Sequence, residues 1–332
     1  MKWHLLTPFL QTRDQAWITD SLAGHQFNII PASYRHDGPR KRASGRHWLD
    51  FAGQTLQARR EFRAGDGFIT AFPPLATMTG AMRRLHLLKG PQVAWTFNLG
   101  TLRSGLSHGL ARRALATVDV LVVHSRQEIE TYSRWLGLPS SRFEYVPLGR
   151  VLRQPWLAED EARPFVLAMG AANRDWPNFL RAVAVLGHRT IIVAPPQALD
   201  GLELPACVEL RTGLSREQCQ ALCQQARVNV VPIDNQATAS GQIALIEAMM
   251  FGRASVATRC PGTLDLAQDG QHALLVSPGD ATALADGIDA LWQDAGLRAR
   301  LGQGAAARVR AEFSEQAEAR HLQRILDRFG AR

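Results

Sequence analysis

Residues 237–270 read ATASGQIALIEAMMFGRASVATRCPGTLDLAQDG, and Glu247 is the only carboxylate in the first twenty of them. The spacing of Ile243, Leu245, Ile246, Met249 and Met250 predicts a largely buried helix, with Gly252 as its C-cap. Before it, Thr238, Ser240 and Gly241 offer hydroxyls and open backbone. Free N–H groups and the helix dipole at such a start favour an anion, and a diphosphate suits them well. Glu247 falls about two turns into this helix. A buried carboxylate needs partners. A pair of sugar hydroxyls would satisfy it in bidentate fashion. An arginine within the protein would do so equally well, and the residues alone leave both readings open.

Elements on both sides must position this segment. In the first half, strands are expected at KWHLLTP, QFNIIPA, DGFITAF, QVAWTFNL, DVLVVHS and RFEYVPLG. Helices are expected at TRDQAWITDSLAG, WLDFAGQTLQARREF, LATMTGAMRRLHLL, GLARRALATV and RQEIETYSRWLG, the last stopped by Gly137. This alternation predicts a doubly wound, mainly parallel sheet. An acidic, Pro-bounded stretch at 154–164 has no apolar periodicity and reads as a linker. The pattern then restarts at FVLAMG and continues through NFLRAVAVLG, TIIVAPP, CVELRTG, SREQCQALCQQA, VNVVPI, ASVAT and ALLVSP. It closes with helices expected at 281–302 and about 305–328. The expected organisation is therefore two Rossmann-like α/β domains, 1–157 and 158–332, with the last helix packing back on the first. Ligands of such folds sit at the carboxyl ends of the strands.

Composition sets further bounds. The 332 residues are 46% apolar and 20% charged, enough for two packed cores. No apolar run reaches the ~18 residues of a membrane span, and the start MKWHLLTPFLQTRDQAW lacks a signal-peptide pattern, so a cytoplasmic chain is expected. Cys207, Cys219, Cys223 and Cys260 form no CxxC pair, so buried or incidental thiols are expected, although Cys219 and Cys223 lie one helical turn apart. His124, ending a strand beside Ser125, reads either as a cleft-edge group or as a capped structural histidine. Charge is uneven. Residues 1–150 hold 20 Lys/Arg against 10 Asp/Glu, and residues 151–332 hold 18 against 20. The sharpest basic run spans 35–48 and includes Arg40, Lys41, Arg42 and Arg46. It could meet nucleic acid, anionic lipid or a phosphorylated substrate, or simply be a solvated face. Tyr34, Trp48, Phe51 and Phe62 are interleaved with it, which suits RNA binding and also suits helix packing.

At IALIEAMMFGRASVAT followed by PGTLDLAQDGQHALLVSPGDATALADGI, the sequence resembles the C-terminal signature of retaining glycosyltransferases of the GT-B fold, family 4. VDVLVVHSRQEIETYSRWLGLPSSRFEYVPLG is similar to the end of their first domain, and LAMGAANRDWPNFLRAV to the start of their second. Together these segments cover most of residues 90–315; residues 1–90 agree only in pattern. The resemblance implies a GT-B fold and a retaining, metal-independent transfer from a UDP- or GDP-sugar to a glycan or lipid-linked acceptor. It implies no separate cofactor and a place in bacterial surface polysaccharide or glycoconjugate synthesis. Glu247 would bind the ribose hydroxyls. Ser240, Gly241 and Gln242 would face the sugar or diphosphate, and Arg174 would take the diphosphate charge. Gly170 and Thr263 would lie near the donor, Thr212, Gly213 and Leu214 would cradle the base, and Asn98 would approach donor sugar and acceptor. Asn98, Arg174 and Gln242 are the implied catalytic set.

The sequence departs from that pattern in three places. Ala239 stands where many members carry a second glutamate, so Gln242, Ser240 or a neighbour must support the sugar. The usual Arg and Lys diphosphate pair is reduced to Arg174, with Ala171 or Ala172 near the other position, and TPFLQTRDQ replaces a Gly-rich loop. Other readings are an epimerase or phosphorylase of the same fold, and a non-catalytic carbohydrate- or RNA-binding module. Nucleic acid is not expected as the principal partner. Reversible contact with an anionic membrane at the inner face is expected from the basic first domain.

Overall fold

A computed structural model of the chain describes residues 1–15, 17–33, 45–102 and 104–330. Tyr34, Arg40, Lys41 and Arg42 lie outside the described residues. Contacts divide the chain into two units, Met1–Pro147 with Glu315–Arg332, and Leu148–Ser314.

The first unit runs β1 (Lys2–Leu6), β2 (Gln26–Ile30), α1 (Gly45–Glu61), β3 (Gly67–Ala71), α2 (Pro73–Arg84), β4 (Gln92–Trp95), α3 (Leu106–Leu115), β5 (Val120–Val123), α4 (Arg126–Leu136) and β6 (Phe143–Tyr145). The six strands form one parallel sheet in the order β2-β1-β3-β4-β5-β6. β5 is Val-Leu-Val-Val and wholly buried, as a strand covered on both faces must be. The last helix, α10 (Glu315–Gly330), covers one face of this sheet. Its Leu322, Ile325 and Leu326 pack with Trp3, Leu5 and Ile69, and His25 Nε2 meets Asp327 Oδ1 at 3.0 Å.

The second unit runs β7 (Val166–Met169), α5 (Trp176–Leu186), β8 (Thr190–Val193), β9 (Val208–Arg211), α6 (Arg216–Gln225), β10 (Val228–Val231), α7 (Gln242–Met250), β11 (Ser255–Thr258), β12 (Leu274–Val276), α8 (Ala281–Gln293) and α9 (Ala295–Glu312). Its sheet is also parallel, in the order β12-β11-β10-β7-β8-β9. The order reverses direction between β7 and β10, which is where an open α/β sheet leaves a crevice at its carboxyl edge.

Four expectations change. The helix expected over 12–24 is only a 3₁₀ turn at Ile18–Ser21. Arg13 is drawn out of a local helix by Asn28 Oδ1 at 2.7 Å and by the Glu61 carboxylate. The strand expected over 92–99 stops at Trp95, because Thr96 takes a positive φ of 53°. The two closing helices are three. Asp294 ends α8 and caps α9 by accepting from Leu297 N at 2.8 Å, and the next break falls at Phe313 and Ser314. Gly302 and Gly304, which look like breakers, lie inside α9. A Cβ on Gly302 would fall 2.1 Å from Gly252 O, so the glycine serves a close backbone approach. Finally, residues 148–157, expected to end the first domain, are held by the second unit. Arg150 N donates to Phe313 O at 2.9 Å, and Trp156 N donates to Gln224 Oε1 at 2.7 Å.

Candidate functional site

The carboxyl edge of the second sheet brings several of the expected residues together. β7 ends at Met169 and Gly170, and the loop that follows carries Arg174. A Cβ on Gly170 would lie 2.3 Å from the Arg174 guanidinium, and its φ of 141° also favours glycine. The missing side chain lets the guanidinium lie across the loop, where Nε donates to Met169 O at 3.0 Å and Nη1 to Ala172 O at 2.9 Å. No carboxylate among the described residues pairs with Arg174. Burial lowers its pKa to about 10, against the weaker opposing pull of Cys260 and Asp234. It therefore remains a cation at neutral pH, held in place without an ion-pair partner among the described residues.

The same loop is tied to the start of α7. Asp175 N donates to Pro232 O at 3.1 Å, and Asp234 N to Asn173 O at 3.3 Å. Asn173 Nδ2 donates to Ser240 Oγ at 2.8 Å, and Asn235 Nδ2 to the same oxygen at 3.3 Å. Gly241, at φ 78°, is the N-cap of α7 and has no side chain to close the helix end. Gln242 is its first, buried residue. A helix N-terminus without a side-chain cap, next to a fixed arginine, is an anion site of the diphosphate kind. Ala239 is buried in the preceding loop.

Glu247 lies further along α7, with 7% of its surface exposed. Its Oε1 accepts from Arg150 at 3.1 Å and from Gln220 Nε2 at 3.1 Å, and Arg216 stands at 3.6 Å. The arginine alternative left open by the sequence is thus realised on one oxygen. Oε2 has no hydrogen-bond partner among the described residues. The carboxylate is oriented from one side and available from the other. Thr212, Gly213 and Leu214 form the loop between β9 and α6, with Thr212 and Gly213 exposed. That loop runs into the Ser215–Gln218 capping box, which starts the helix that delivers Arg216 and Gln220 to Glu247. Cys219 and Cys223 sit on this helix too. Burial and the Glu247 charge raise both thiols, so they are protonated and inert at neutral pH. Among the described residues no group of three His, Cys, Asp or Glu could hold a metal ion.

Two expected residues take structural places. Thr263 is fully buried, and its Oγ1 donates to Thr258 O and accepts from Cys260 N at 3.1 Å. Its hydroxyl closes the 258–263 turn rather than facing a phosphate. His124 is buried, with Nδ1 at 2.8 Å from Val146 O and Nε2 at 3.4 Å from Thr96 Oγ1. Burial lowers its pKa to about 4, partly offset by the Val146 carbonyl, so it is a neutral structural histidine.

Asn98 belongs to the first unit, after β4, where its Oδ1 accepts from Gly100 N at 2.8 Å. It lines a cavity of about 520 Å³ with Trp48, Phe72, Pro73, Leu99 and Trp135. Sequence reasoning missed Arg150, Arg216, Gln220 and Asn173. Arg216 and Gln220, four apart on a helix after RTGLS, carried a usable signal. Arg150, 97 positions from Glu247, carried none.

Residues 164–294 match the family model described as glycosyl transferases group 1. No curated protein sequence matches the chain. Solved structures do. HepE of Anabaena, crystallised with UDP and glucose, is similar at TM-score 0.71 and 14% identity, covering 98% of this chain and 99% of that one. Sucrose-phosphate synthase of Thermosynechococcus elongatus is similar at TM-score 0.72 and 17% identity, covering 99% of each. The lipopolysaccharide outer core galactosyltransferase WaaB, in its apo form, is similar at TM-score 0.68 and 11% identity, covering 99% and 100%.

Proposed function

We propose, for a chain whose residues 164–294 match the glycosyl transferases group 1 and whose fold is GT-B, a retaining and metal-independent transfer from a nucleoside-diphosphate sugar. One observation carries the reading. The loop that carries Arg174 is tied to the open N-terminus of α7, and a buried carboxylate with an unpartnered oxygen lies further along the same helix. Gly241 and Glu247 are six residues apart, about 9 Å along the helix. A nucleoside diphosphate bridges such a gap with its phosphates at the N-terminus and its ribose hydroxyls on Glu247 Oε2.

The chemistry follows from charge. As the anomeric C–O bond breaks, negative charge grows on the leaving diphosphate. Arg174 and the N–H of Gly241 at the start of α7 meet that charge as it develops, and so stabilise it without reorganising. The acceptor hydroxyl attacks from the side the diphosphate leaves, and a phosphate oxygen takes its proton. No separate cofactor is needed. Asn98 and the aromatic cavity beside it supply acceptor contacts in the first unit. The acceptor is a glycan or lipid-linked glycan, and the setting is polysaccharide or glycoconjugate synthesis at the inner face of the membrane.

The test is turnover of UDP- and GDP-sugars with chelator present, followed by the anomeric proton coupling of the product. Retained configuration and full activity in chelator are expected. An inverted product, or activity restored only by a divalent ion, contradicts the reading.

A further inference from the structure

We infer that the outer face of α3 is the surface that docks this protein on an anionic lipid bilayer. The inference rests on the membrane part of the reading above but not on the donor site. α3 begins with Leu106, 90% exposed, and one turn later presents Leu110, 66% exposed and also at the rim of the Asn98 cavity. Residues four apart share a helix face, so two leucines stand side by side in water. Beside them runs a groove of about 780 Å³ lined by Arg84, Leu106, Leu110, Arg112, Arg113 and Leu138, among others. No residue lining it is a carboxylate.

The arginines are the second observation. Arg83, next to Arg84, pairs with Asp119 at 2.9 Å. Arg84, Arg112 and Arg113 have no carboxylate partner among the described residues. Arg112 is placed rather than loose. Its guanidinium lies over Gly137, where a Cβ would meet it at 2.5 Å. Arginines in a last helical turn favour the helix dipole. That accounts for their positions, but not for two bare leucines beside three uncompensated cations. Arginines that bind phosphate, next to leucines that enter the apolar boundary, are the pattern of interfacial helices. Among the described residues no helix is long and apolar enough to cross a membrane, so the contact is peripheral.

The test uses the full chain and sedimentation with phosphatidylcholine vesicles, with and without phosphatidylglycerol, across a salt series. The parent should prefer the anionic vesicles at low salt. R84Q/R112Q/R113Q should lower partitioning roughly tenfold to a hundredfold. L106S/L110S should weaken binding and make what remains fully salt-sensitive. All five side chains belong to the first unit and the nucleotide residues of the proposal to the second, so nucleotide binding should stay at the parent value and confirms folding. If both variants bind like the parent while neutralising Arg40, Lys41, Arg42 and Arg46 abolishes binding, the α3 inference fails and the membrane reading stands. If the parent shows no preference for anionic vesicles, both fail. If L106S/L110S turns a dimer into a monomer and vesicle binding is absent, the face is a contact between copies and the inference is overturned.

Discussion

Glu247 is held from one side and open on the other. Its Oε1 takes Arg150 and Gln220, so the carboxylate is aimed before any ligand arrives. A charge-assisted hydrogen bond to Oε2 is worth about 1.5–3 kcal/mol. Glu247→Ala should therefore weaken nucleoside-diphosphate binding roughly tenfold or more, read by calorimetry. Arg174 differs in kind, because charge builds on the diphosphate only as the bond breaks. Arg174→Ala should cut kcat more than it raises the donor Kd; equal losses in both would remove its special role in the transition state. His124 makes a separate prediction. Its pKa is about 4 in the fold and about 6.5 when unfolded. The unfolded chain therefore binds the extra proton first. The contribution is fully present above about pH 6.5 and is lost as pH falls through about 4, of order 3 kcal/mol in all. His124→Gln should flatten the chemical-denaturation midpoint over that window; an unchanged slope would mean that His124 titrates normally.

The elements show which signals the chain makes visible. The apolar strands and the helices around Gly137, Ser215 and Glu247 are legible, because their periodicity and caps are local. The false helix at 12–24 and the continuation of α9 through Gly302 are not, because distant partners decide them. Arg13 answers to Glu61, and Gly302 to the backbone of Gly252. The same limit applies at the site. Glu247 and Arg174 stand in recognisable segments, whereas Arg150 reaches Glu247 across 97 positions. Thr263 shows the converse, since a residue in the right segment spends its hydroxyl on its own turn. Gly302→Ala tests the close approach. Its Cβ would fall 2.1 Å from Gly252 O, so α7 and α9 must part. Overpacking of this kind costs about 1–3 kcal/mol. Thermal unfolding should show a lowered midpoint, and a midpoint equal to the parent's would mean the backbone gives way freely.

For the whole molecule, we propose that the second unit binds the nucleotide and the first carries acceptor and membrane contacts. α10 belongs in sequence to the end of the chain and in packing to the first unit, where Leu322, Ile325 and Leu326 bury Trp3. Its apolar face completes that core, while the residues proposed to bind the nucleotide lie on other elements. The account therefore turns on whether Glu247 meets the ribose. The direct measurement is a double-mutant cycle with nucleoside diphosphates, using whichever base binds and its 2′,3′-dideoxy analogue, titrated into the parent and Glu247→Ala by calorimetry. Any cost of leaving Arg150 unpaired cancels across the cycle. The account predicts that removing the hydroxyls weakens the parent roughly tenfold or more and leaves Glu247→Ala unaffected. Equal losses in both proteins would contradict it, because Glu247 would then hold Arg150 and nothing else.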